Sequence, residues 1–140
     1  MTAVSQIQFH IDRMTKTQVK ADYHTASKEL KNLQEEFPEA EVIHPQALSL
    51  HSFKFYNYPN YGGVFDPDRS QPHYFGIAAL DENDYFEGGK EELFENQEII
   101  VINIFGVDSF EEMLQENGYQ VLENYDFDFR GGIEIRVWER

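Results

Sequence analysis

Residues 97–140 limit the possible folds most. They read EIIVINIF, Gly106, DSFEEMLQE, Asn117-Gly118, then YQVLENYDFDF, Arg130-Gly131-Gly132 and IEIRVWE. The first segment is the most β-prone run in the chain and is aliphatic on both sides, as a central strand should be. Gly106 breaks it. Asp108 with Glu111 and Ser109 with Glu112 form two overlapping capping boxes for a short helix. Asn117-Gly118 supplies its left-handed C-terminal cap. A new strand starts at Tyr119, and residues 125–129 and 133–138 alternate on either side of the Gly-Gly turn, which predicts a hairpin.

The preceding chain has the same alternation of strand and helix. Ile7, Phe9 and Ile11 share one face of an N-terminal strand. Thr15 and Thr17 are candidate N-caps. Val19, Tyr23, Ala26, Leu30, Leu33 and Phe37 then follow at spacings of four and three, an apolar helical stripe that Pro38 ends. Residues 39–47 read as a connection, with His44-Pro45 disfavouring helix. Residues 48–58 read as a strand, with Leu48 and Leu50, then Phe53 and Phe55, alternating around a bulge. Residues 64–65 are short and extended, 66–70 form a turn, and residues 73–80 suggest a further strand. Residues 81–98 hold eight carboxylates and one Lys and read as an exposed loop with a turn of helix near residues 91–94.

The order predicts a single α+β domain over residues 1–140, built as two β-α-β-β-type halves. Its sheet is mostly antiparallel, with helices on one face. Twelve Phe, eight Tyr and one Trp in 140 residues supply an ample core. With no Cys, disulfides and thiolate chemistry are excluded. No apolar run reaches the roughly 20 residues of a membrane helix, and the N-terminus lacks the pattern of a secretory signal. A cytoplasmic protein without a membrane partner is expected.

Net charge is −15, and residues 71–140 carry 17 acidic against 4 basic side chains. A field of that sign repels phosphate backbones, which argues against direct nucleic-acid binding, and attracts basic proteins or cationic ligands. Residue-level chemistry points the same way. The five histidines show no metal-binding spacing, and Phe86 stands where a calcium loop beginning at Asp81 demands Gly. No nucleophile elbow or phosphate loop occurs. No cofactor, metal or catalytic residue is assigned, and a non-enzymatic role is favoured. Asp126 and Asp128 share one side of their strand, with Glu134 and Arg136 on the neighbouring one. They would bind a cation if that face were covered, or face water if Phe127 and Phe129 take the core. The aromatic stretch between Phe53 and Phe75 packs the core and lends tyrosines to a contact surface.

Taken together, several segments resemble the GyrI-like effector-binding domain family, named for a gyrase-inhibitory protein. They are TASKELKNLQEEF, YGGVFDPD, HYFGIAALDEND, EIIVINIFG, the helix running into ENGYQVL, and DFDFRGGIEIRVWE, in the family's order over about residues 25–139. The chain departs from the family at Ile104, where a His is common, at its Val137-Trp138-Glu139 ending and at Asp128, where Glu is frequent. Its second helix is also shorter. The resemblance implies two β-α-β-β units flanking a groove that binds hydrophobic, often cationic molecules over aromatics and an acid; some members bind proteins such as DNA gyrase or are hydrolases. It also implies a stand-alone effector-binding domain.

Two functions are therefore expected. In the first, Tyr56, Tyr58, Tyr61 and Trp138 wall a small-molecule site and Asp128 supplies its counter-charge. In the second, Glu91, Glu92, Glu95, Glu111 and Glu112 dock a basic protein, making the chain an acidic inhibitor or decoy of the phage or mobile-element kind.

Overall fold

The computed structural model describes residues 23–70, 80–104, 109–127 and 132–140. The expected N-terminal strand, the Thr15 and Thr17 caps, most of the strand at residues 73–80, the Asp108 cap and Asp128 lie outside these residues.

Helix α1 (Tyr23–Glu36) buries Ala26, Leu30 and Leu33 on the expected stripe, and Phe37 follows at its end. Strand β1 (Glu41–His44) is short and almost wholly buried. The connection expected there is a strand, too brief to show a period. A 3-10 turn (Ala47–Ser49) leads into helix α2 (Leu50–Asn57), where the sequence suggested a strand. The cause is visible in the burial. Leu50, Phe53 and Asn57 face inward at spacings of three and four, whereas Leu48 and Phe55 are apolar residues facing solvent. A polar residue on the core side and two apolar residues outside it hid the helical period.

Strand β2 (Gly63–Val64) follows. At Gly63 an added Cβ would lie 2.8 Å from the backbone nitrogen of Phe86, so glycine lets the segment around Tyr85 pass close to the sheet edge. That segment hydrogen-bonds through Phe86 N–H to the Val64 carbonyl at 2.9 Å. A second 3-10 turn (Glu82–Asp84) and helix α3 (Lys90–Leu93) interrupt the acidic stretch. Strand β3 (Glu98–Ile104), helix α4 (Ser109–Glu116), strand β4 (Gln120–Asp126) and strand β5 (Ile133–Glu139) complete the described elements. Gly118 has φ of +90°, and Tyr119 N–H reaches back to the Leu114 carbonyl at 3.0 Å, as the expected left-handed cap requires.

The strand order is β2-β1-β3-β5-β4, with β3 central. The β1–β2 and β1–β3 ladders are parallel and short; the longer β3–β5 and β4–β5 ladders are antiparallel. The class is therefore α+β with a mixed, mostly antiparallel sheet. The helices, expected on one face, divide between two. Helices α1 and α2 cover Val42, Ile100, Ile102, Ile133, Ile135 and Val137. Leu93 of α3 and Phe110 and Leu114 of α4 cover Ile43, Ile99, Val101 and Trp138. This follows from β3, whose successive residues point to opposite sides and are all buried after Glu98.

Candidate functional site

The five side chains expected to wall one ligand site are not gathered together. Tyr56 and Tyr58 sit at the end of α2, and Tyr58 is 72 % exposed. Tyr58 stacks on Tyr61, with ring centroids 6.1 Å apart, while Tyr61 itself is buried. Trp138 belongs to the opposite face of the sheet, is 1 % exposed, and donates its indole N–H to Glu111 Oε2 at 3.2 Å. It is a core residue with a satisfied polar tip, not a wall shared with the tyrosines. Asp128 lies outside the described residues. Of the five carboxylates expected on a docking face, Glu91, Glu92, Glu95 and Glu112 are exposed. Glu111 is buried, and its Oε1 accepts from Arg136 Nη1 at 2.9 Å. A glutamate in the first turn of a helix reads as solvent-facing; the guanidinium that draws it inward stands 25 positions later.

Two contiguous recesses flank the segment around Tyr85 at the sheet edge. One, of about 600 Å³, is lined by Arg69, Glu82, Tyr85 and Phe86 among others. The other, of about 460 Å³, is lined by Glu41, Asn60, Gly63, Tyr85, Phe86 and Glu87 among others. Arg69 lays its guanidinium over the Tyr85 ring, 3.6 Å from the centroid, and pairs with Glu82 at 3.0 Å. Its backbone has φ of +52°, a left-handed conformation that costs a non-glycine residue about 1 kcal/mol or more. Glu41 carries no such company: burial alone pushes its proton affinity above the usual glutamate range.

The wall of this region is held by saturated polar contacts. Asp84 is fully buried and accepts from Lys54 Nζ at 2.9 Å, Tyr61 Oη at 2.6 Å and the Asp81 N–H at 3.0 Å. Burial on its own would raise its pKa; the hydrogen bonds from Tyr61, Asp81 and Lys54 outweigh that and lower it. Asp81 returns the favour by capping the Asn83 N–H. Two acids of the stretch read as an exposed loop, Asp81 and Asp84, are thus turn-forming groups. Nearby, His44 Nε2 lies 2.7 Å from the Tyr61 carbonyl and Nδ1 2.7 Å from Ser49 Oγ. The carbonyl can only accept, so Nε2 carries the proton and Nδ1 accepts from Ser49. A serine next to a neutral histidine is the makings of a nucleophile, but both residues are 0 % exposed and closed to substrate. Burial lowers the His44 pKa to about 4.

On the other face the register lines up Asn103, Glu134 and Asp126 across β3, β5 and β4. One row along the sheet, each nitrogen of Arg136 has a partner: Nε bonds Asn124 at 3.1 Å, and Nη1 bonds Glu111 and Nη2 Glu134, each at 2.9 Å. Glu134 is pushed above the usual glutamate range by burial first, then by the charges of Glu111 and Asp126, with Arg136 opposing. Asp126 stands opposite Glu134 and is open to solvent while Phe127 packs on the core, as in the second of the two arrangements expected of these strands, and Asp128 lies outside the described residues. Asn103, which the sequence reading passed over, is 1 % exposed, and neither its amide nitrogen nor its amide oxygen has a partner. Each unmet group costs about 1–3 kcal/mol. A lone amide in the aliphatic run EIIVINIF was the available signal.

Among the described residues no cluster of three His, Cys, Asp or Glu side chains could hold a metal, and no helix is long and apolar enough to cross a membrane. No family model, curated protein or solved structure matches the chain.

Proposed function

We propose that the chain is a non-enzymatic binding domain for a small cationic molecule with an apolar or aromatic body, held in the recesses beside Tyr85. The observation that carries this reading is the pairing of aromatic wall and desolvated acid. Tyr85 and Phe86 line both recesses, and Glu41 lines one of them as a carboxylate whose charge is penalised by burial. A bound cation relieves that penalty. Arg69, stacked on Tyr85 and clamped by Glu82, is the chain's own instance of how a planar cation is held there. The aromatic-plus-acid chemistry is that expected from the GyrI-like resemblance, carried by residues other than those first singled out.

The test is a melting-shift survey with lipophilic cationic dyes and amidines. A ligand present at about 100 times its dissociation constant adds about 2.7 kcal/mol of stability. Saturable shifts that shrink in Tyr85→Ala and in Glu41→Gln are expected. Shifts indifferent to both substitutions, or absent across the survey, overturn the reading.

A second reading, an acidic inhibitor that docks a basic protein, is favoured by one arrangement. Helices α3 and α4 pack on the same side of the sheet, which gives Glu91, Glu92, Glu95 and Glu112 to one side of the molecule. Such docking is steered by long-range attraction and slows steeply as salt rises. Replacing Glu91, Glu92 and Glu95 together by Gln separates the two readings: it abolishes the second and leaves dye binding at Tyr85 intact.

A further inference from the structure

We infer that the row Asn103–Glu134–Asp126 is a binding site for an aminoacyl head, meaning an α-ammonium group next to a carbonyl, as a peptide N-terminus or an amino-acid amide presents it. The site is on strands β3, β5 and β4 and does not depend on the recesses at Tyr85.

Three observations combine. Asn103 and Asp126 are both direct cross-strand partners of Glu134, so the three side chains stand in line on one face of the sheet. Exposure rises along the line: Asn103 is 1 % exposed, Glu134 is partly covered, and Asp126 is open to solvent. The row therefore runs from interior to surface. Second, Asn103 brings a donor and an acceptor that no described residue meets. Its strand neighbours Ile102 and Ile104 are buried aliphatics, and a leucine would suit the position better if packing were the sole demand. Third, Arg136 bonds Glu111, Glu134 and Asn124, one through each of its nitrogens, and among the described residues no ion pair reaches Asp126.

The missing partner must supply positive charge and also an acceptor. An ammonium offers three donors, enough for Glu134, Asp126 and Asn103 Oδ1. A carbonyl one carbon away accepts from Asn103 Nδ2. A guanidinium has no acceptor and leaves that nitrogen unmet. An anion is repelled by the carboxylates.

The experiment is calorimetric titration of the full chain with glycinamide, N-acetylglycinamide and ethylammonium. Glycinamide is expected to bind, and the other two, lacking the charge or the carbonyl, to bind at least about tenfold more weakly. Triglycine amide distinguishes the sources: binding as tight as glycinamide indicates a peptide N-terminus, and loss indicates a free amino-acid amide. Asn103→Leu is expected to melt above the unsubstituted protein and to bind glycinamide at least about tenfold more weakly. A structural role alone raises the melting point without touching binding. Glu134→Gln, which keeps the shape of the row, weakens binding as well and covers the case in which Asn103→Leu does not fold. No glycinamide binding at millimolar concentration, leaving ordered water as the filling of the row, overturns the inference. So does binding unchanged in both variants.

Discussion

The two faces of the sheet treat buried polar groups differently. On the α1–α2 face, Asp84 receives Lys54, Tyr61 and a backbone N–H, and His44 has both ring nitrogens engaged. What is left unmet there is single acceptors, Asn57 Oδ1 and Gln46 Oε1, and Asn57 still donates to the Ser27 carbonyl at 3.0 Å. On the α3–α4 face, Asn103 has neither donor nor acceptor satisfied by any described residue, and Glu111 and Glu134 both pair with Arg136. The first face spends its polar residues on holding a turn and a helix in place. The second retains polar groups that no described residue meets, and these are the groups the proposed aminoacyl head would engage.

The largest effect that sharpens this contrast is expected at Trp138. Trp138→Ala should lose about 3–5 kcal/mol in denaturant unfolding, because it empties the core of the second face and strips Glu111 of a donor. A loss below about 1 kcal/mol breaks the assignment of Trp138 to scaffold. Next comes Asp84→Ala on the first face, at about 3 kcal/mol, since it leaves Lys54, Tyr61 and the Asp81 N–H without their common acceptor. Asn103→Leu has the opposite sign, and that difference in sign is the contrast itself.

Acid provides the third test. His44 is neutral in the fold, with its pKa lowered to about 4 from an ordinary value of 6.5. The unfolded chain takes up a proton below 6.5 while the native one does not, so this contribution is complete above pH 6.5 and is lost as pH falls toward 4. The slope is about 1.4 kcal/mol per pH unit, or about 2 kcal/mol between pH 6.5 and 5. His44→Gln should flatten that part of the profile in urea titrations. Glu41 and Glu134, whose folded pKa values are raised, work in the other direction. Glu41→Gln should melt slightly higher at pH 7, with the difference vanishing once pH falls below the ordinary glutamate range. The smallest effect is expected at the surface: Phe55→Ser and Tyr58→Ser, at positions 80 % and 72 % exposed, should each change stability by no more than about 0.5 kcal/mol.

Much of the architecture was legible because it is local. The stripe through Ala26, Leu30 and Leu33, the cap at Gly118 and the alternation of Ile133, Ile135 and Val137 each declare themselves within a few residues. Helix α2 did not, because Asn57 lies on its core side and Phe55 on its outer side, and so hydrophobicity and burial disagree there. The division of helices between two faces was hidden too, since the strand run of β3 shows burial on both sides but not which helix covers which. The site was harder still. Glu111, Arg136 and Trp138 meet across 25 and 27 positions of sequence, and nothing in the spacing of charges forecasts a buried glutamate. Asn103 was readable in principle, as one amide among five aliphatic residues, but its meaning depends on Glu134 standing opposite.

Strand β4 stands last in the strand order and is mostly exposed, with Val121 and Leu122 turned to solvent and a register shift between Val121 and Glu123. Among the described residues no strand pairs with its outer side, and an edge left so is where a chain begins to aggregate. The bulge disturbs the ladder that an incoming strand would need, and the carboxylates of Glu123 and Asp126 repel another copy of this acidic protein. The surface charge that invites a cationic partner is thus also what keeps the chain from adding to itself, and the two cannot be engineered apart at β4.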